Sequence, residues 1–223
     1  MFDRIAPRYD LLNRLLSAGV DRRWRRACVD ALDLSAPARV LDLCSGTADL
    51  LVETLTRDAG HRGLGVDISG AMLRLGAGKL RRRGLADRAS LAIGDAERLP
   101  LRDGRFDRVM VAFGIRNVGD VARALAEARR VLRPGGRIVV LEFGLPGGPL
   151  GVLYRLYFDR LLPAIGRWVS HDRTAYGYLP ASVARFPSPE AFCALMRDAG
   201  FTRVARRPLT GGVAWVFGGE VAR

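Results

Sequence analysis

From about residue 39 to the end of the chain, short apolar runs alternate with longer stretches in which apolar residues recur every three to four positions. The short runs suit strands buried on both faces, and the longer ones suit helices with one apolar face, so the pattern predicts an α/β fold around a mostly parallel sheet. Arg39 to Leu43 reads as a first strand. It leads through Cys44-Ser-Gly-Thr-Ala-Asp49 into a helical stretch from Leu50 to Thr56. A second strand, Gly63 to Val66, ends in Asp67, and Ser69 to Arg83 places Met72, Leu75 and Leu80 on one helix face, with Ser69 suited to the N-cap. A third strand, Ala89 to Ile93, ends in Gly94-Asp95-Ala96, and a fourth, Phe106 to Phe113, ends in Gly114-Ile-Arg-Asn117. Asp120 can cap a helix that runs to Leu132 and stops at Arg133-Pro-Gly-Gly136, after which Arg137 to Phe143 forms a buried fifth strand. A helix from Pro189 to Ala199 precedes strands near Phe201 to Arg206 and Val213 to Phe217, close enough in sequence to pair as antiparallel neighbours.

Composition narrows this picture. A chain of 223 residues, 49% apolar, can bury one large core, and no linker or repeat divides it, so one domain is expected. No uncharged stretch approaches the ~18 apolar residues that cross a bilayer, and Asp3, Arg4, Arg8 and Asp10 occupy the place of a signal peptide's apolar core. A cytoplasmic protein is expected. Cys28, Cys44 and Cys193 show neither zinc-type nor redox-type spacing, which fits a reduced compartment and small core residues. The net charge is +13, carried almost wholly by arginine because Lys79 is the sole lysine. Clusters at Arg22, Arg23, Arg25, Arg26 and at Arg81 to Arg83 suit solvated helix faces, an anionic membrane surface or nucleic acid. Nucleic-acid footprints usually interleave exposed aromatics with the charge, and that interleaving is missing here, so no nucleic acid is expected as a partner.

In an open parallel sheet, ligands bind outside the carboxyl ends of the strands, where the polar turns named above converge. Asp67 follows Gly46 by 21 positions, close to the offset of ~20 at which a second-strand acid reaches ribose hydroxyls; its structural alternative is to cap the next helix. A pyrophosphate needs several close glycines, yet this loop offers Gly46 alone, with Ser45 and Ala48 where others might sit. Asp42 before the turn and Asp49 after it suit a ligand carrying an ammonium and a sulfonium, which favours S-adenosylmethionine over a dinucleotide. Asp95 can accept from an adenine amino group while a neighbouring N–H meets a ring nitrogen. Arg116 and Asn117 project from the fourth strand toward the transferable methyl and its acceptor, where an arginine stabilises an oxyanion; the structural alternative is an Arg116 ion pair with an acid such as Asp120.

With these residues assembled, the chain closely resembles the ubiquinone/menaquinone biosynthesis C-methyltransferases. The resemblance is carried by Phe2-Asp-Arg-Ile-Ala-Pro-Arg-Tyr-Asp10 with Asn13, by Val40 to Asp49, by Phe113-Gly-Ile-Arg-Asn-Val118, by Arg133-Pro-Gly-Gly with Leu141-Glu-Phe143, and by Tyr176-Gly-Tyr-Leu-Pro180 with Ser182 and Phe186-Pro187. It implies a Rossmann-like class I methyltransferase fold, with a mostly parallel seven-stranded sheet, an antiparallel last strand and helices on both faces. Residues 1–36 are expected as an N-terminal helical cap and 145–187 as a lid over the substrate. The implied S-adenosylmethionine contacts are Thr47, Asp67, Asp95 and Ala96, beside Asp42 and Gly46, with Tyr9, Arg116 and Asn117 in active-site roles. Ala112 stands where relatives commonly place serine, leaving a backbone contact only. No metal is needed for an in-line displacement from a sulfonium.

The function so implied is C-methylation of a prenylated quinol, demethylmenaquinol or a ubiquinone precursor. The rivals are methylation of another small aromatic or lipid and, further off, a basic nucleic-acid-binding protein. Leu150 to Trp168 offers an apolar path for an isoprenoid tail and is expected to touch the inner membrane surface peripherally, or else to serve as a core or homodimer-interface helix.

Overall fold

The computed structural model describes residues 19–148, 151 and 181–223. Tyr9, the opening motif and most of the expected lid therefore lie outside the described residues. The sheet has seven strands: β1 (Arg39–Leu43), β2 (Arg62–Asp67), β3 (Ala89–Ile93), β4 (Phe106–Ala112), β5 (Leu132–Phe143), β6 (Thr202–Leu209) and β7 (Ala214–Glu220), in the order β3-β2-β1-β4-β5-β7-β6. β1 to β5 run parallel, and β7 pairs antiparallel with both β5 and β6. This is the expected mostly parallel sheet with its antiparallel last strand.

The alternation of side chains explains why the central strands read as continuous apolar runs. Leu41, Leu43, Val109, Val111, Ile138 and Val140 point to one face, where they pack with Leu125, Ala128, Phe192, Met196 and Phe217. Val40, Met110, Val139 and Leu141 point to the other, against Trp24, Cys28, Leu51 and Leu55. Strands covered on both faces must be apolar at every position. The covering helices are α1 (Asp21–Ala31), α2 (Asp49–Leu55), α3 (Gly70–Arg82), α4 (Val121–Val131) and α5 (Pro189–Asp198). Three of the caps are formed by the residues that local chemistry favours: the side chains of Ser69, Asp120 and Ser188 accept from the N–H groups of Met72, Arg123 and Ala191. No helix among the described residues is long and apolar enough to cross a membrane.

Strand boundaries differ from expectation at β7, which runs on to Glu220, and more tellingly at β5 and β6. The stop anticipated at Arg133-Pro-Gly-Gly136 is a bulge within β5, because Leu132 pairs with Phe106 before the register shifts and Arg137 pairs with Arg108. Gly135 takes φ +74° there, and the segment is tied to the chain's end by Gly135 N–H to Val221 O and Val221 N–H to Gly136 O. β6 runs on to Leu209. It is an exposed edge strand whose Arg203, Arg206, Arg207 and Pro208 discourage pairing with another chain.

Candidate active site

The carboxyl edges of β1, β2, β3 and β4 surround a cavity of about 230 Å³ lined by Cys44, Gly46, Asp67, Ile68, Asp95, Ala96, Ala112, Phe113 and Asn117, among others. Six of the residues singled out from sequence therefore meet in one place: Gly46, Asp67, Asp95, Ala96, Ala112 and Asn117. Asp42, Thr47 and Arg116 stand behind this lining, each in a distinct role.

The turn after β1 is shaped by three alternating left-handed residues, Cys44 (φ +54°), Gly46 (φ +52°) and Ala48 (φ +61°). This corrects the sequence register: the positions that favour glycine are 44, 46 and 48, with Ser45 between them. Non-glycine residues in this region cost of order 1 kcal/mol each. The turn's amides are directed by its neighbour, since Gly46 N–H donates to Asp67 Oδ2 at 2.8 Å and Ser45 N–H to Val66 O at 3.1 Å. Asp67 Oδ1 accepts from Ser69 N–H at 2.8 Å. The carboxylate thus fixes the loop and the start of α3 together. Each carboxylate oxygen retains a further lone pair beside the cavity.

Asp42 is 1% exposed and accepts from the N–H of Leu51 in the first turn of α2. Its Oδ2 has no partner among the described residues, nor does the Oγ of buried Ser45. Burial first, then the charge of Asp67, pushes the Asp42 carboxyl well above the usual carboxylate range. A cationic ligand seated above this edge relieves that strain, so the donor set fits a sulfonium and an ammonium. Asp49, read from sequence as a second such carboxylate, is instead neutralised from behind by Lys79 and, at 3.3 Å, by Arg25. The sole lysine also donates to Thr47 Oγ1 at 3.0 Å, so the Thr47 hydroxyl braces the rear of the loop.

Across the cavity, Asp95 is exposed and its Oδ1 accepts from Glu97 N–H at 2.9 Å. Glu97 in turn accepts from Gly119 N–H at 2.6 Å and joins the third and fourth turns. The fourth turn passes close to the first: a Cβ on Gly114 would stand 2.3 Å from Cys44 Cβ, so only glycine permits the approach. Immediately before it, Phe113 adopts φ +56°, an outlier for a bulky residue. Its carbonyl consequently faces Arg116 Nη1 and Asn117 Nδ2, and its ring lies 4.4 Å from that of Phe143.

Arg116 is not paired with Asp120, which serves as the α4 N-cap. Its Nη1 donates to Glu142 Oε1 at 2.7 Å, its Nε to Ser182 Oγ at 3.3 Å, and its guanidinium lies 5.2 Å from the centre of the Phe143 ring. The two charged side chains are 7% and 0% exposed. Burial pushes the Glu142 carboxyl up against the pull of Arg116. Sequence reasoning passed over Glu142, although a lone acid inside the apolar run Arg137 to Phe143 was the available signal.

Solved structures share this architecture. A SAM-dependent methyltransferase from Thermotoga maritima, titled a possible histamine N-methyltransferase, superposes with a TM-score of 0.67 at 24% identity, covering 98% of this chain and 97% of that one. The [4+2]-cyclase SpnF gives 0.70 at 19% identity over 90% of this chain and 81% of its own, so the fold alone does not fix the chemistry. A phosphoethanolamine N-methyltransferase of Haemonchus contortus, solved with S-adenosyl-L-methionine, gives 0.69 at 14% identity over 90% of this chain and 53% of its own. Sequence is more specific. A demethylmenaquinone methyltransferase of Thermus thermophilus is 50% identical over 221 residues, 99% of either chain. A ubiquinone/menaquinone biosynthesis C-methyltransferase of Geotalea uraniireducens is 46% identical, covering 99% of this chain and 94% of its own. The profile of the ubiE/COQ5 methyltransferase family matches residues 1–220, and the chain belongs to that family.

Proposed function

We propose that the protein transfers a methyl group from S-adenosylmethionine to a ring carbon of a prenylated quinol, with demethylmenaquinol as the acceptor. The observation that carries this reading is the ring of polar strand ends around one cavity: the Asp67 and Asp95 carboxylates, the Gly46 turn and the Asn117 amide all line it. The full-length relatives add the acceptor class. When bound, S-adenosylmethionine supplies an electrophilic methyl on a sulfonium.

The chain's own residues then have three tasks. Asp67 holds the ribose, the loop of residues 44–48 and buried Asp42 meet the cationic end, and Asp95 with the Ala96 N–H hold the adenine edge. Ala112 contributes backbone alone, beside Phe113. Arg116 stabilises the phenolate that makes the acceptor carbon nucleophilic, using the N–H groups that Glu142, Ser182 and the Phe113 carbonyl leave over. Asn117 and Tyr9 orient the acceptor. Residues 1–36 act as the cap and 145–187 as the lid over the prenyl chain. No metal is needed: the sulfur–methyl bond breaks as the carbon–methyl bond forms, S-adenosylhomocysteine leaves, and the phenolic proton before transfer and the ring proton after it pass to water.

The prenyl tail places the acceptor in a bilayer, and exposed Arg22, Arg23 and Arg26 on α1 with Arg81 to Arg83 at the end of α3 give the protein a cationic means of peripheral contact from the cytoplasmic side. Full-length protein incubated with demethylmenaquinol and methyl-labelled donor should yield labelled menaquinol, whereas absence of transfer refutes the reading. Co-sedimentation with anionic vesicles that persists at low salt and fails at high salt supports the membrane contact; failure at low salt removes it.

A further inference from the structure

We propose that Glu142 is a positioning residue for methyl transfer, acting through Arg116; the inference rests on the reading of Arg116 given above. Glu142 lies at the carboxyl end of β5, fully buried, one residue before the chain leaves the sheet. The strand around it is already held on both sides, by β4 in parallel and by β7 in antiparallel, so no ladder depends on its side chain. An apolar residue of the same volume would suit the spot at least as well, because taking a carboxylate and a guanidinium out of water costs several kcal/mol that their attraction only partly offsets.

What the carboxylate does hold is the turn after β4. Oε1 accepts from Arg116 Nη1 at 2.7 Å, and Oε2 lies 3.4 Å from the backbone N–H of the same arginine. The carboxylate is itself steadied by Phe143 N–H, 2.8 Å from Oε1. Side chain and backbone of Arg116 are thus gripped at once, and the grip extends to the single turn Ile115–Asn117, whose last residue lines the cavity. The Phe113 carbonyl and Ser182 Oγ take the remaining contacts of Nη1 and Nε. Among the described residues, no acceptor engages Nη2. Glu142 therefore sets which edge of the guanidinium is left for a ligand, and where Asn117 stands.

The geometry makes Glu142 matter for turnover rather than for cofactor binding, since the grip lies on the acceptor side of the cavity and the cofactor loop is braced separately by Lys79 and Asp67. Glu142→Gln keeps the shape and one acceptor but loosens the hold. The test uses full-length wild type, Glu142→Gln, Arg116→Ala and the double variant, with calorimetric S-adenosylmethionine titrations and steady-state transfer to demethylmenaquinol. The expected result is a kcat at least about tenfold below wild type for Glu142→Gln, a cofactor Kd within about threefold, and no further loss when the change is added to Arg116→Ala, because a residue acting through another shows complete non-additivity. Wild-type kcat in Glu142→Gln, or an equal loss on both backgrounds, overturns the proposal. Wild type that transfers no methyl overturns the functional reading, and this proposal with it. If Glu142→Gln melts below the assay temperature, Glu142→Asp takes its place under the same criteria.

Discussion

Asp42→Asn should make the protein more stable without cofactor and a weaker binder of S-adenosylmethionine. The carboxylate is 1% exposed, holds one amide hydrogen bond from Leu51, and leaves Oδ2 unpartnered among the described residues while facing the charge of Asp67 and, more weakly, of Asp49. An unsatisfied buried acceptor costs about 1–3 kcal/mol, and more when charged. The amide keeps the Leu51 bond and turns repulsion from two acids into attraction, so a net gain of about 1–2 kcal/mol is expected, or about 2–8 °C in Tm for a chain of this size. The gain depends on pH. Because burial raises the folded-state pKa above the unfolded value of about 3.9, the site's contribution to wild-type stability is complete below about pH 4 and is lost as pH rises through the folded-state value. The difference between variant and wild type should therefore be large at pH 7.5 and vanish near pH 4. Scanning calorimetry across that range measures it, and titration with S-adenosylmethionine at pH 7.5 should show Kd weaker by about tenfold, the equivalent of about 1.4 kcal/mol. A Tm that falls at pH 7.5, or an equal gain at both pH values, refutes the account of Asp42 as a strained acid kept for a cation.

Other consequences follow from single contacts. Arg116→Ala leaves Glu142 buried and uncompensated, so thermal melts should drop by about 6–12 °C, from a cost of about 3 kcal/mol, and Glu142→Gln added to it should recover part of the loss. Gly114→Ala drives a Cβ to 2.3 Å from Cys44 Cβ; an overpacking cost of about 1–3 kcal/mol and lost cofactor binding are expected, and Cys44→Gly, which removes the opposing atom, should restore both in the double variant. Lys79→Gln unties Asp49 and Thr47 from α3, and a Kd for S-adenosylmethionine raised by about fivefold, with Tm lowered by a few degrees, is the calorimetric expectation for a partly buried contact worth about 1 kcal/mol.

What was legible in the sequence divides along a physical line. Strand order aside, the elements were readable because period and capping are local: Ala89–Ile93 was predicted at its observed bounds, and Ser69 and Asp120 cap as their side chains dictate. Asp67 and Asp95 could be placed at the edge because a strand's end and its next residue are neighbours in any fold. Arg116 could be placed there too, but not its partner, since Glu142 lies 26 residues away and reaches it only through the pairing of β4 with β5. Lys79 and Thr47 meet across 32 residues for a similar reason. The remaining surprises are backbone ones. Cys44, Ala48 and Phe113 adopt left-handed conformations that their residue types disfavour, so no propensity argument could have found them. They gather at the same carboxyl edge as Asp42 and Glu142, both buried acids. Local rules are broken there together because the chain must turn sharply where several strand ends meet around one cavity, and the packed sheet beneath supplies the stability that holds the turns in place.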